Sequence, residues 1–186
     1  DNHIEQLFEP GKNYLYVDVG GGSTEINLIS EGELKSSRSY NIGTVRMLSG
    51  MVKNEEKEQM HTDLEVLAKE YAPIHIIGSG GNINKLFRLA DKKDKKQLFL
   101  PLASLQDIYR TLKDLPKEQR IKLFKLKPDR ADVIVPAAEI FLEVATYVKA
   151  TGIIVPTIGL SDGIIDSLYT QNMNVPPVSH NSTSPS

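Results

Sequence analysis

The densest chemistry in the chain lies in the run Asp18-Val19-Gly20-Gly21-Gly22-Ser23-Thr24-Glu25. An acid ends an apolar stretch, three glycines follow, two hydroxyls come next, and a second acid closes the run. Glycines turn a backbone sharply and leave its N–H groups uncovered. Uncovered N–H groups suit phosphate, and magnesium needs one or two carboxylates beside it. The competing account is a hairpin whose glycines only make the turn. Three consecutive glycines between two acids exceed that requirement, so Gly20, Gly21, Gly22, Ser23 and Thr24 are expected to hold phosphate. Asp18 and Glu25 are expected to hold Mg2+ and to act in catalysis.

A second glycine-rich segment is Ile76 to Leu86, with Gly78-Ser79-Gly80-Gly81-Asn82 at its centre. An apolar run feeds a turn and then a helix start, where free N–H groups and the helix dipole favour an anion. It matches neither GxxxxGK[ST] nor the full GxGxxG, since Ile83 takes the sixth position. A structural turn explains it equally well in isolation. Arg46 is a candidate phosphate contact by charge, with a solvated arginine as the alternative. Arg130 and Asp132 open a long helical pattern, either as functional groups or as partners of the helix dipole. His3, His61, His75 and His180 show no paired spacing, and His75 lies in an apolar run that reads as structural.

The elements that would position these loops follow from periodicity. Asn13 to Val19 alternates as a strand. Thr24, Ile26 and Leu28 alternate with Glu25 and Asn27 as a second, and Glu33 to Ile42 reads as a third. Short turns join them, the second at Glu31-Gly32. A short helix over Gly43 to Met51 and a longer one over Asn54 to Tyr71 come next. Pro73 to Ile77 is a fourth strand, followed by a helix capped by Asn82. Asp91 to Gln97 is a charged loop. Helices follow from Ser104, from Pro116 and from Arg130 to Lys149. Gly152 to Ile158 is the last strand, and Ser161 caps a final helix to about Tyr169. The expected class is α/β: a ribonuclease H-like domain with a mixed five-stranded sheet, order βββαβαβα, flanked by helices. Glycine turns at the ends of the first and fourth strands would share one rim. Residues 1–12 form a lead-in, 13–171 the domain, and 172–186 a tail rich in Asn, Pro and Ser that reads as disordered. The triplet Asn181-Ser182-Thr183 in that tail is read as chance.

Composition narrows the function classes. The 186 residues carry 22 basic and 24 acidic side chains, a net charge of −2. That balance argues against nucleic acid as a partner, and the basic run Lys92 to Lys96 reads as a solvated loop. No Cys is present, which excludes disulfides, Cys-zinc sites, iron–sulfur clusters and thiol catalysis. No uncharged apolar run reaches the roughly 20 residues of a membrane helix, so no membrane partner is expected. The start Asp1-Asn2-His3 has neither an initiator Met nor a leader pattern, so a chain processed or cut from something longer is expected, in a cytoplasmic location.

With these loops in place, the chain resembles the exopolyphosphatase/guanosine pentaphosphate phosphohydrolase family of the sugar kinase, heat-shock chaperone and actin superfamily. Asp18 to Ile26 looks like its second phosphate motif, Ile76 to Leu86 its adenosine motif, and Asp129 to Ala137 its second connecting motif. The segments Asn41 to Leu48 and Gly159 to Ile165 are similar as well. The resemblance spans Asn13 to Tyr169 and implies the second of two ribonuclease H-like lobes. The first lobe's phosphate loop and its general-base glutamate have no counterpart here. Ser161 stands where the family often has Arg, and Ala137 where it often has Gly.

The resemblance implies a hydrolase that cleaves terminal phosphoanhydrides, in inorganic polyphosphate or a guanosine nucleotide, with Mg2+. The expected partners are that substrate and the N-terminal lobe of the same protein, with a homodimer possible for the lobe alone. Without the first lobe the chain is expected to be inactive. Two alternatives stand beside this: a non-hydrolytic (p)ppGpp- or nucleotide-binding module, and a relative of sugar or acetate kinases.

Overall fold

The computed structural model describes residues 8–172. The expected tail apart from Asn172, which ends a helix, its triplet, His3, His180 and most of the lead-in fall outside the described residues.

Three antiparallel strands open the domain: β1 (Asn13–Val19), β2 (Thr24–Ser30) and β3 (Glu33–Tyr40). Glu31 and Gly32 both take positive φ, 54° and 73°, as the primed turn of a tight hairpin demands. Helices α1 (Thr44–Leu48) and α2 (Asn54–Tyr71) follow, then β4 (Ile74–Ser79) and α3 (Gly81–Leu89). Beyond them come β5 (Phe99–Pro101), α4 (Leu102–Asp114), α5 (Lys117–Phe124), α6 (Pro128–Val148), β6 (Gly152–Ile154) and α7 (Ile158–Asn172).

The sheet order is β3-β2-β1-β4-β6-β5. β1, β4 and β6 run parallel, and β2, β3 and β5 are antiparallel to their neighbours. The mixed α/β sheet flanked by helices is the expected class. It has six strands rather than five, because Phe99–Pro101 pairs with β6. β6 is shorter than expected, ending at Ile154, and α7 starts at Ile158, so Ser161 lies inside the helix rather than capping it. Asn82 likewise lies inside α3, whose cap is Gly80. Ser104 lies inside α4, which starts after Pro101.

Each sheet face has its own core. One face packs under α2, α3, α4 and α6, with Leu15, Val17, Ile26, Leu28, Ile76, Leu64, Leu86 and Phe141 among its buried members. Each such side chain contributes roughly 1.5–3 kcal/mol by leaving water. The other face carries a smaller cluster: Tyr14, Tyr16, Ile29 and Ile77 from the sheet against Ile164 and Leu168 of α7. Alternation along β1 separates the two faces, with odd positions under the large core and even positions under α7. Asp18 therefore points to the α7 side.

Candidate active site

β1 and β2 meet in a register that sets Asp18 opposite Glu25 and Tyr16 opposite Asn27. Directly paired strand residues share a face, so the two acids stand side by side. β4 places Ser79 on the other flank of Asp18. Tyr16, Asp18, Glu25 and Asn27, with the α7 side chains Ile165, Leu168 and Tyr169, line a cleft of about 80 Å³. Asp18 is half-buried and Glu25 is exposed.

The glycine hairpin above them is held by its carbonyls. Thr44 N–H donates to Gly20 O at 3.0 Å, and Val45 and Arg46 N–H donate to Gly21 O at 2.9 and 3.3 Å. Arg46 Nε donates to Gly22 O at 2.6 Å. The amide of Gly20 is spent on Ser23 O at 2.8 Å. In a planar trans peptide the C=O and the following N–H point in opposite directions. Fixing three carbonyls onto α1 and Arg46 therefore turns the N–H groups of Gly21, Gly22 and Ser23 away from them. Gly43 makes this possible: a Cβ there would sit 2.3 Å from Gly21 O.

Thr24 departs from expectation. It is fully buried, and its hydroxyl donates to Ile42 O at 2.6 Å. The alternation of β2 already put Thr24 on the same face as Ile26 and Leu28, under the core. Thr24 is a structural tie rather than a phosphate contact. Arg46 likewise braces the loop by its Nε.

Burial pushes the Asp18 carboxyl above its ordinary range, and the Ser79 hydroxyl pulls the other way. The Tyr16 hydroxyl is pushed up to about 12, chiefly by burial, with the Ser79 hydroxyl opposing. It donates to Ser161 O at 3.4 Å, a weak bond. The hydroxyls of Ser79 and Ser161 are buried without a partner of hydrogen-bond geometry.

The second loop closes the same rim, since β1 and β4 are adjacent and parallel. Gly78 departs from expectation too. It lies buried inside β4, where a Cβ would meet Ile153 and Phe141 at 2.9 Å, so it makes room for packing. Gly80, Gly81 and Asn82 lie nearer the surface. Gly80 has φ 113° and ψ 167°, a conformation essentially reserved for glycine. Arg130 Nη1 donates to Asn82 Oδ1 at 2.6 Å, and its guanidinium lies over Gly81. A cation thus stands at the start of α3. Its helix position is visible in the sequence, but its contact with Asn82 is not.

The other candidates lie elsewhere. Asp132 pairs with Lys117 at 2.8 Å. His61 pairs with Glu143 and stacks on Tyr147. His75 stands near the start of β4, the end opposite the glycine loops. Among the described residues no group of three or more His, Cys, Asp or Glu could hold a metal. The Asp18–Glu25 pair nonetheless fits a hard cation that keeps most of its waters and takes one or two carboxylates.

Comparison with known proteins bears on the family and the fold. The Ppx/GppA phosphatase family model matches residues 4–172. Exopolyphosphatase 2 of Mycobacterium tuberculosis is 29% identical over 78% of this chain and 51% of its own length. The type II variant crystal structure of the Aquifex aeolicus Ppx/GppA phosphatase superposes with TM-score 0.66 at 27% identity, covering 88% of this chain and 59% of that one. An exopolyphosphatase from Cytophaga hutchinsonii shares the fold, with TM-score 0.66 at 23% identity over 89% of this chain and 58% of that one. The chain spans about half the length of the curated relatives it matches. By its sequence over nearly its whole length, the chain belongs to the Ppx/GppA phosphatase family.

Proposed function

We propose that this chain is the second lobe of an enzyme that hydrolyses terminal phosphoanhydrides, in inorganic polyphosphate or a guanosine pentaphosphate-type nucleotide. The observation that carries the reading is the carbonyl-locked hairpin, whose three outward amides stand beside Asp18 and Glu25. Phosphoryl transfer needs positioning and charge neutralisation more than covalent chemistry. The amides of Gly21, Gly22 and Ser23 cradle the terminal phosphate. Gly80, Gly81 and Asn82, with the charge of Arg130, face the next phosphates. Asp18 and Glu25 hold Mg2+, which when bound neutralises phosphate charge. Glu25, exposed at the mouth of the cleft, orients the attacking water.

The general base belongs to the first lobe, so the 186-residue chain alone releases negligible phosphate. Val45, Leu48 and Met51 of the α1 region, which braces the hairpin, and Ile165 and Tyr169 of α7, which line the cleft, are exposed apolar side chains. They suit a surface that meets the first lobe, and in its absence they favour self-association.

The test is phosphate release from polyphosphate by the two-lobed protein. Glu25→Gln is expected to lower turnover at saturating substrate by roughly 10²-fold or more. An unchanged turnover number removes Glu25 from the mechanism.

A further inference from the structure

The near-neutral charge of the chain hides a strong segregation. Residues 81–130 hold 14 Lys or Arg against 6 Asp or Glu, a local +8 in a chain of net charge −2. This segment starts at the second glycine loop. Gly81, Lys85 and Arg88 recur at helical spacing along one stripe of α3, and Arg130 lies over Gly81 at its head. α3 is nine residues, about 14 Å long. The loop beyond it keeps the sign, with Lys92, Lys95 and Lys96 exposed. Lys93 Nζ donates to Arg88 O at 2.6 Å and ties that loop to the end of the helix.

These charges are available. Among the described residues, Lys85, Arg88, Lys92, Lys95 and Lys96 have no carboxylate partner, whereas Lys117 pairs with Asp132. Of the two loop acids, Asp91 and Asp94, both exposed, Asp94 is engaged by its own loop, accepting from the Lys96 and Gln97 N–H groups at 3.0 and 2.9 Å. A row of unpaired cations repels itself unless counter-ions or a ligand neutralise it, and releasing those counter-ions favours a bound polyanion.

We infer that Lys85, Arg88 and the Lys92–Lys96 loop form an electrostatic track that holds the body of a long linear polyphosphate whose terminal phosphate sits at the glycine hairpin. This deepens the function proposed above and rests on it. It also revises the reading of Lys92 to Lys96 as merely solvated.

The experiment is calorimetric titration of the whole 186-residue chain with tripolyphosphate and with polyphosphate of several tens of units. An oligodeoxythymidylate of matched charge serves as a third probe. Each is run against Lys85→Gln/Arg88→Gln/Lys92→Gln and against a control, Lys113→Gln/Lys122→Gln/Lys125→Gln, which removes the same charge off the track. The unaltered chain is expected to bind the long polymer roughly tenfold more tightly per chain than tripolyphosphate. The track variant loses that excess and keeps its affinity for tripolyphosphate, while the control stays within about twofold. The salt dependence of long-polymer binding should become shallower by roughly two in log–log slope in the track variant alone. An excess kept by the track variant, or lost equally by the control, overturns the track. So does oligodeoxythymidylate bound as tightly as the polyphosphate. Tripolyphosphate bound without any long-chain excess overturns the track and leaves the glycine-hairpin reading standing. No binding of either phosphate overturns both.

Discussion

The two glycine loops sit on one rim but are made in different ways. The hairpin Gly20–Ser23 has ordinary strands on both sides and is shaped from outside: α1 and Arg46 take its carbonyls. The loop at Gly80 is shaped from inside, by a backbone angle at a helix start. Charge differs as well. The hairpin lies between two carboxylates, which suits a metal-accompanied phosphate, whereas the second loop has a guanidinium over Gly81, which suits a phosphate directly. Two glycine-rich sequences that look alike thus depend on different physics. One glycine is needed for space and another for conformation.

Gly43 is the glycine of space. Its φ of −147° is open to any residue, but a Cβ would fall 2.3 Å from Gly21 O and 2.7 Å from the Gly22 carbonyl carbon. Both neighbours are backbone and cannot swing aside. Gly43→Ala should destabilise the fold by about 3 kcal/mol in urea unfolding, the upper end of overpacking costs, and displace the hairpin. A loss under about 0.5 kcal/mol would mean that the hairpin does not rest on α1.

Gly80 is the glycine of conformation. A Cβ there meets nothing within 4 Å, so Gly80→Ala costs only the backbone, about 2 kcal/mol. Gly81→Ala should cost less than either. Its Cβ would meet the end of the flexible Arg130 side chain, which can move. The same urea series measures all three, and the expected order is Gly43, Gly80, Gly81. A larger loss at Gly81 than at Gly80 would show that the guanidinium, rather than the backbone angle, shapes the second loop.

How much of this was legible in the sequence depends on the range of each contact. The register that sets the two acids opposite each other comes from strand pairing, whereas the hairpin itself followed from period-2 alternation, a local rule. So did the burial of Thr24, although the hydroxyl itself suggested a ligand. The partner of that hydroxyl, Ile42 O, lies 18 residues away, and Arg130 reaches Asn82 across 48 residues. No propensity rule reports either contact. β5 is not legible in the sequence, because three residues ending in proline carry no pattern, and they become a strand only by pairing with β6. The start of α7 lies earlier than the sequence signals, because Gly159 and Gly163 weaken the helical pattern, which packing of Ile164 and Leu168 against the sheet overrides.

The smallest effect separates the two loops by charge. Asp18 is held against its preference: burial raises its carboxyl above the ordinary value, with Ser79 opposing. A group whose folded pKa is raised destabilises the fold once it ionises. That cost is full above the raised value and disappears as pH falls below the ordinary carboxylate value. Asp18→Asn should therefore raise the melting temperature slightly at neutral pH, by about 1–2 °C given that the side chain is only half-buried. The gain should shrink as pH falls and vanish below the ordinary carboxylate range. Millimolar magnesium should then raise the melting temperature of the unaltered chain but not of the variant, because binding to the folded state alone stabilises it. A variant less stable at neutral pH, or one that magnesium stabilises equally, would show that Asp18 serves packing rather than the cation. The hairpin would then lose the feature that distinguishes it from the second loop.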